Sequence, residues 1–272
     1  MFPEREGDNR RVDVRELTLD GRAVRWRTAG SGAPLVLVHG LAGSWRWWRN
    51  VVPALAAAHE VHVLDLPRFR AGFAAGDAAD WLGRWLDAAA LERPVLVGHS
   101  LGGLLAAQVA SRGSPRPSAI VLADPVGIPT GWSLPREALA LASSLWTVPP
   151  RFLPVLVADS LRWGPAALLR GASAAVAADL RVDLGRVAVP ALLLWGERDT
   201  LVPARLAESW HAALPDARLE VLAGVGHVPM VDAPSAFADA VLRFLEEIAG
   251  KRGEPAQARD VRAGDGRDPA AG

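Results

Sequence analysis

The hexapeptide Gly98-His99-Ser100-Leu101-Gly102-Gly103 constrains the fold more than any other stretch of this chain. Before it, Pro94-Val95-Leu96-Val97 is a short apolar, β-branched run, the pattern of a buried strand. After it, Leu104 to Ala110 is rich in good helix formers. A turn this sharp between strand and helix leaves no room for side chains at 98 and 102, and both are glycine. Ser100 is then presented at the strand's tip. The Leu101 amide falls at a helix N-terminus, where free N–H groups favour developing negative charge. Taken alone, the hexapeptide also suits a glycine-rich turn whose serine merely caps the helix. The flanking strand and helix favour the other reading, a G-x-S-x-G turn that presents a nucleophile.

The rest of the chain supplies a frame for such a turn. Residues 11–19 and 23–28 read as a hairpin about Gly21. Pro34-Leu35-Val36-Leu37-Val38 is continuously apolar, as a parallel strand buried on both faces must be. Further strands are expected at 61–64, 94–98, 118–123, 190–195 and 218–223. Helices are expected at 80–90, 203–213 and 235–249. This alternation implies right-handed crossovers and a mostly parallel sheet. Ser44 is expected to cap a helix that buries Trp45, Trp48, Val52 and Leu55 on one face and leaves Trp47 off it.

Between 126 and 181 no strand pattern appears. Helical stretches at 135–147, 151–163 and 165–179 carry Trp132, Trp146 and Trp163, and are expected to form a cap over the sheet's edge. The core is then 12–125 with 182–249. Residues 1–11 and 250–272, polar and poor in large apolar side chains, are expected to be flexible. The 272 residues, half of them hydrophobic, suffice for one large domain. With 30 basic and 30 acidic residues, the overall charge gives no basis for a nucleic-acid or anionic-membrane partner. No apolar run is long enough to span a bilayer. The absence of cysteine excludes disulfides and thiolate metal sites, and with the charged N-terminus fits a cytoplasmic protein. Oligomeric state is not legible.

A serine nucleophile needs a base, and the base needs an acid to orient it. Of six histidines, His39 and His99 sit in backbone turns, His59 and His62 flank a strand start, and His211 lies within a helix. Only His227, in Gly224-Val225-Gly226-His227-Val228-Pro229, follows a strand tip in a loop. For the acid, Asp199 follows the strand ending at Trp195. Asp124 is its rival at another strand end, and Glu197 competes from the same loop. The chain order Ser100, Asp199, His227 puts all three on one edge of a parallel sheet. The loop His39-Gly40-Leu41-Ala42-Gly43 can supply the Leu41 amide, which with that of Leu101 would form an oxyanion hole.

These motifs resemble the α/β-hydrolase superfamily over about residues 12–249: His39-Gly40, the hexapeptide, Gly196-Glu197-Arg198-Asp199 and Gly226-His227. The resemblance implies an eight-stranded sheet flanked by helices, a cap at 126–181 and a Ser100–His227–Asp199 triad. Relatives with an aspartate nucleophile are disfavoured by Ser100. Arg68 and Arg70 depart from the glycines common after Asp-Leu-Pro, and Val228 from the tryptophan of many carbon–carbon bond hydrolases. The expected activity is hydrolysis of a carboxylic ester or related acyl bond of a hydrophobic small molecule. Trp45, Trp47, Trp132, Trp146 and Trp163 are candidates to line its pocket. No cofactor or metal is implied, since the chain lacks H-E-x-x-H, a phosphate-binding loop and cysteine. Lactonase, thioesterase, acyltransferase, carbon–carbon hydrolase and cofactor-free haloperoxidase activities remain alternatives on the same triad. From another class, so does a ligand sensor with little or no turnover.

Overall fold

The computed structural model describes residues 12–67, 75–113, 117–133, 136, 139–140, 143–144 and 148–253. Eight strands form one sheet: β1 Asp13–Leu19, β2 Arg22–Ala29, β3 Pro34–Val38, β4 Glu60–Leu64, β5 Val95–His99, β6 Ala119–Ala123, β7 Ala191–Gly196 and β8 Ala217–Leu222. Their spatial order is β1-β2-β4-β3-β5-β6-β7-β8. The β1–β2 and β2–β4 pairs are antiparallel, and every pair from β4 to β8 is parallel.

The continuous apolar strands work in both directions. Along β3, Val36 and Val38 enter one core while Leu35 and Leu37 enter the other. The first core is closed by α2 Ala75–Ala88, α3 Leu101–Arg112 and α7 Arg205–Ala213, the second by α1 Val52–Leu55, the short α8 Pro229–Asp232 and α9 Pro234–Gly253. Helices on both faces oblige the parallel strands to end on one edge. The tips of β5, β6, β7 and β8 therefore lead to residues 100, 124, 199 and 227 along that edge.

Two local expectations need correcting. The segment after Ser44 is a 3-10 turn, Trp45–Trp47, capped by the Ser44 hydroxyl and followed at Val52 by a four-residue helix. The helical phase therefore breaks. Trp47 is buried together with Trp48, and Trp45 is the half-exposed ring, with the Arg27 guanidinium 4.2 Å from its centroid. At the other end, α9 runs to Gly253, four residues past the expected boundary. Residues 1–11 and 254–272 lie outside the described residues, as does most of the helix expected at 135–147.

Between β6 and β7 the described helices are α4 Leu153–Trp163, α5 Pro165–Ala177 and α6 Arg181–Leu184. The α4–α5 pair bends by 96°, and among the described residues no single helix is long and apolar enough to cross a membrane. These helices grip the loop after β3. The buried Asp159 carboxylate of α4 accepts hydrogen bonds from the Ser44 hydroxyl (2.7 Å), Arg46 Nη1 (3.1 Å) and Trp47 Nε1 (3.2 Å). Three donors satisfy a charge that would otherwise be costly to bury. The Trp163 indole donates to the Gly43 carbonyl (3.2 Å). On α5, a Cβ at Gly171 would lie 2.3 Å from Leu41 Cδ1, so a glycine is needed for the helix to approach the loop that closely.

Candidate active site

Ser100 joins β5 to α3 with φ 51° and ψ −114°, a backbone geometry that costs a non-glycine residue about 1–3 kcal/mol. The surroundings enforce it. The Ser100 amide donates to the Ala123 carbonyl (2.9 Å), and the Leu104 amide donates to the Ser100 carbonyl (3.1 Å). A Cβ on Gly98 would lie 2.3 Å from the Gly102 carbonyl oxygen, and one on Gly102 would lie 2.2 Å from that of Val38. The two glycines are thus steric requirements of the turn, as the hexapeptide's spacing predicts.

The other two residues reach Ser100 from their own strand ends. His227 Nε2 lies 3.2 Å from Ser100 Oγ, and His227 Nδ1 lies 2.7 Å from Asp199 Oδ2. The second carboxylate oxygen of Asp199 accepts the amides of Leu201 (2.8 Å) and Val202 (2.9 Å), so the carboxylate both closes its own loop and faces the histidine. The His227 loop is held in turn by Asp232, which accepts the Gly226 amide (3.0 Å). Among the described residues no backbone hydrogen bond takes up the amides of Leu41 or Leu101. The loop carrying Leu41 presses on the turn, since a Cβ on Gly40 would come within 3.1 Å of Ser100 Cβ.

Asp124 lies deeper. It is fully buried at the end of β6, accepts the Gly196 amide (2.8 Å), and has a carboxyl oxygen within 4.8 Å of the ligand atoms of Asp199 and His227. Burial, reinforced by the neighbouring Asp199 charge, holds its pKa well above the usual carboxylate range. Its ionised form is therefore disfavoured beside the carboxylate that bonds to His227. Spacing alone would let Asp124, Asp199 and His227 surround a cation. As a donor set they fit one poorly, because burial disfavours ionisation of Asp124 and His227 Nδ1 is engaged by Asp199. Glu197 is exposed and accepts the Gly224 amide (2.7 Å) instead.

An acid whose pKa rises on folding contributes stability that is fully present below its unfolded pKa and lost as pH rises through the folded one. Asp124→Asn should therefore gain stability relative to the parent protein as pH rises from about 4 towards neutrality. Urea midpoints measured across that range test this. A difference that does not vary with pH would mean that Asp124 is ionised in the folded protein.

Two histidines assigned from sequence only to backbone turns have definite tasks. His99 donates from Nε2 to the His227 carbonyl (2.7 Å) and packs against Trp47, with ring centroids 5.7 Å apart. Burial, and then the proximity of His227, hold its pKa well below the ordinary histidine value, so it is a neutral strut between the two loops. His39 accepts the Leu66 amide at Nε2 (3.0 Å) and donates from Nδ1 to the Gly40 carbonyl (2.7 Å). Nothing local in the sequence signals the His99 contact, whose partner lies 128 residues away.

The tryptophans divide. Trp47 lies behind the turn, against His99 and Phe152. Trp163 packs edge-on to His39. Trp132 is half-buried, with Arg136 and Arg205 near its ring, and Trp45 carries Arg27 and Arg46. Trp146, Arg68 and Arg70 lie outside the described residues. Leu139 is 69% exposed. A cavity of about 450 Å³ opens beside His39, Gly43, Leu66, Arg162 and Trp163.

The sequence model of the alpha/beta hydrolase family matches residues 35–240. A pimeloyl-[acyl-carrier protein] methyl ester esterase of Edwardsiella ictaluri is 32% identical over 255 residues, spanning 82% of this chain and 98% of that protein. Among solved structures, a bacterial membrane phospholipase A superposes with a TM-score of 0.76 at 24% identity, covering 88% of this chain and 87% of that one. Naproxen esterase of Bacillus subtilis superposes with a TM-score of 0.74 at 21% identity, covering 86% and 92%. At these identities the two superpositions speak to the fold alone.

Proposed function

The chain belongs to the α/β-hydrolase family and is a hydrolase, and on that premise we propose that it cleaves carboxylic esters through an acyl-enzyme on Ser100. One observation carries the reading: a continuous hydrogen-bonded line from Asp199 through both nitrogens of His227 to Ser100 Oγ. His227 takes the serine proton as Oγ attacks the ester carbonyl. Asp199 holds the ring in the tautomer that leaves Nε2 free to accept, and offsets the imidazolium charge. The Leu41 and Leu101 amides donate to the tetrahedral oxyanion. The imidazolium then returns the proton to the departing alcohol. A water, deprotonated by His227, attacks the acyl-enzyme and releases the carboxylic acid and free Ser100. The methyl ester of an acyl chain, hydrolysed by the Edwardsiella relative as its name states, belongs to this bond class.

The acyl part of the substrate is hydrophobic in this reading. Trp47, which packs against the His99 ring, meets Phe152 edge-on, and Val155 and Leu156 of α4 pack against the same apolar cluster. Each methylene moved from water to such surroundings is worth about 0.8 kcal/mol, or about fourfold in kcat/KM. A series of p-nitrophenyl esters from acetate upward should therefore show kcat/KM rising several-fold per methylene over the first carbons. A flat or falling series, with acetate the best substrate, would contradict the apolar pocket.

A further inference from the structure

We propose that Asp159 and Trp163 of α4 are positioning residues for the oxyanion donors, so that the helices between β6 and β7 complete the catalytic apparatus. The inference deepens the esterase reading and rests on it. The two donors assigned there come from separate elements, Leu41 from the loop after β3 and Leu101 from the turn at Ser100. Their effect depends on placement, because a displacement of about 1 Å can lower a rate by about a hundredfold.

The loop that carries Leu41 is strained. The Gly43 amide donates to the Gly40 carbonyl (3.1 Å), closing a turn with Leu41 and Ala42 at its centre. Ala42 sits there at φ 62°, a left-handed backbone that disfavours any residue with a Cβ. Such a conformation persists where its surroundings over-determine it. α4 supplies that constraint. The Trp163 indole donates to the carbonyl of Gly43, the turn's last residue (3.2 Å). One residue on, the Ser44 hydroxyl donates to Asp159 (2.7 Å). α5 closes from another side, with Gly171 against the Leu41 side chain.

Asp159 reaches the second donor as well. The Trp47 indole donates to Asp159 Oδ2 (3.2 Å), and its ring packs against His99 with centroids 5.7 Å apart. His99 lies two residues before Leu101, and its Nε2 donates to the His227 carbonyl (2.7 Å). A single carboxylate, 1% exposed, thus ties together the loop of Leu41, the turn of Leu101 and, through His99, the loop of the base. Stability alone is a weak reason for such a buried charge, since apolar side chains of similar volume often serve a core as well.

Kinetics of Asp159→Asn, Ser44→Ala and Trp163→Phe on p-nitrophenyl butyrate, with inhibition by 1,1,1-trifluorohexan-2-one, test this in the full chain. Ser100 Oγ adds to the ketone carbon, His227 takes the serine proton, and the carbonyl oxygen becomes an oxyanion facing both amides. Each variant should lower kcat, by about 10–100-fold for Asp159→Asn and about tenfold for Trp163→Phe, with KM within about twofold of the parent's. The inhibition constant of the ketone should rise by the same factor as kcat falls. Trp163→Phe removes one N–H and leaves Asp159 fully bonded, so it keeps the test open should Asp159→Asn fail to fold. Loss of activity with an unchanged inhibition constant would mean fewer active molecules rather than displaced donors, and would overturn the proposal. Parent-level kcat in Ser44→Ala and Trp163→Phe would overturn it too, while leaving the esterase reading intact. A parent protein that neither cleaves the ester nor binds the ketone would instead sink the esterase reading, and this inference with it.

Discussion

Replacement of Ser100 by alanine is expected to lower kcat by about 10⁴–10⁶-fold and to leave Tm close to that of the parent protein. The two halves of the expectation have different causes. The backbone at Ser100 is held by the Ala123 carbonyl, the Leu104 amide and the close approach of Gly98 and Gly102, none of which involves the hydroxyl. Oγ has one hydrogen-bond partner among the described side chains, His227 Nε2 at 3.2 Å. Removing it therefore costs little folding energy while removing the atom that attacks in the proposed mechanism. Steady-state kinetics on a p-nitrophenyl ester, beside a melting curve, check both halves. Retention of most activity would remove Ser100 from the reaction, and a large fall in Tm would mean that the hydroxyl serves the fold.

The second large effect separates two acids. Asp199→Asn should cut kcat by about 10³–10⁴-fold, because an amide neither offsets an imidazolium charge nor enforces the tautomer that leaves Nε2 unprotonated. Asp124→Asn should cost less than about tenfold. Burial disfavours the ionised form of Asp124 in the folded protein, and an asparagine oxygen can still accept the Gly196 amide that Asp124 Oδ1 accepts at 2.8 Å. Burial explains why two aspartates at neighbouring strand ends differ so much. Asp199 is satisfied by His227 and two backbone amides, whereas Asp124 has one amide donor and a carboxylate for a neighbour. Kinetics of the two variants side by side decide the matter, and the reverse ranking would transfer the acid's role to Asp124.

The sheet was largely legible because β3, β6 and β7, and β5 as far as Gly98, carry no polar side chain, a pattern that only strands covered on both faces can afford. The meeting of residues 100, 199 and 227 was legible for a related reason: parallel strands joined by right-handed crossovers bring their ends to one edge, whatever the loops do. The stretch after Ser44 was not. Its tryptophans fit a regular helix by spacing, but Asp159 draws the Trp47 indole inward from 112 residues away, and the helical phase is lost. His99 looked like part of a backbone turn because its acceptor is a carbonyl on the opposite loop. The raised pKa of Asp124 comes from burial beneath the sheet's edge, which no local pattern encodes. The exposure of Leu161 and Leu169 was not legible either, since spacing identifies a helix face without saying which way it points.

The central claim is that Ser100 is a nucleophile activated by His227, and covalent trapping tests it most directly. A p-nitrophenyl alkylphosphonate, attacked at phosphorus with loss of p-nitrophenolate, should add one phosphonyl group per chain, placed by peptide mass spectrometry on Ser100. Labelling should match the loss of esterase activity and should fall to background in His227→Ala. Inactivation with the adduct on another residue, or ester turnover that persists after Ser100 is fully labelled, would contradict the account.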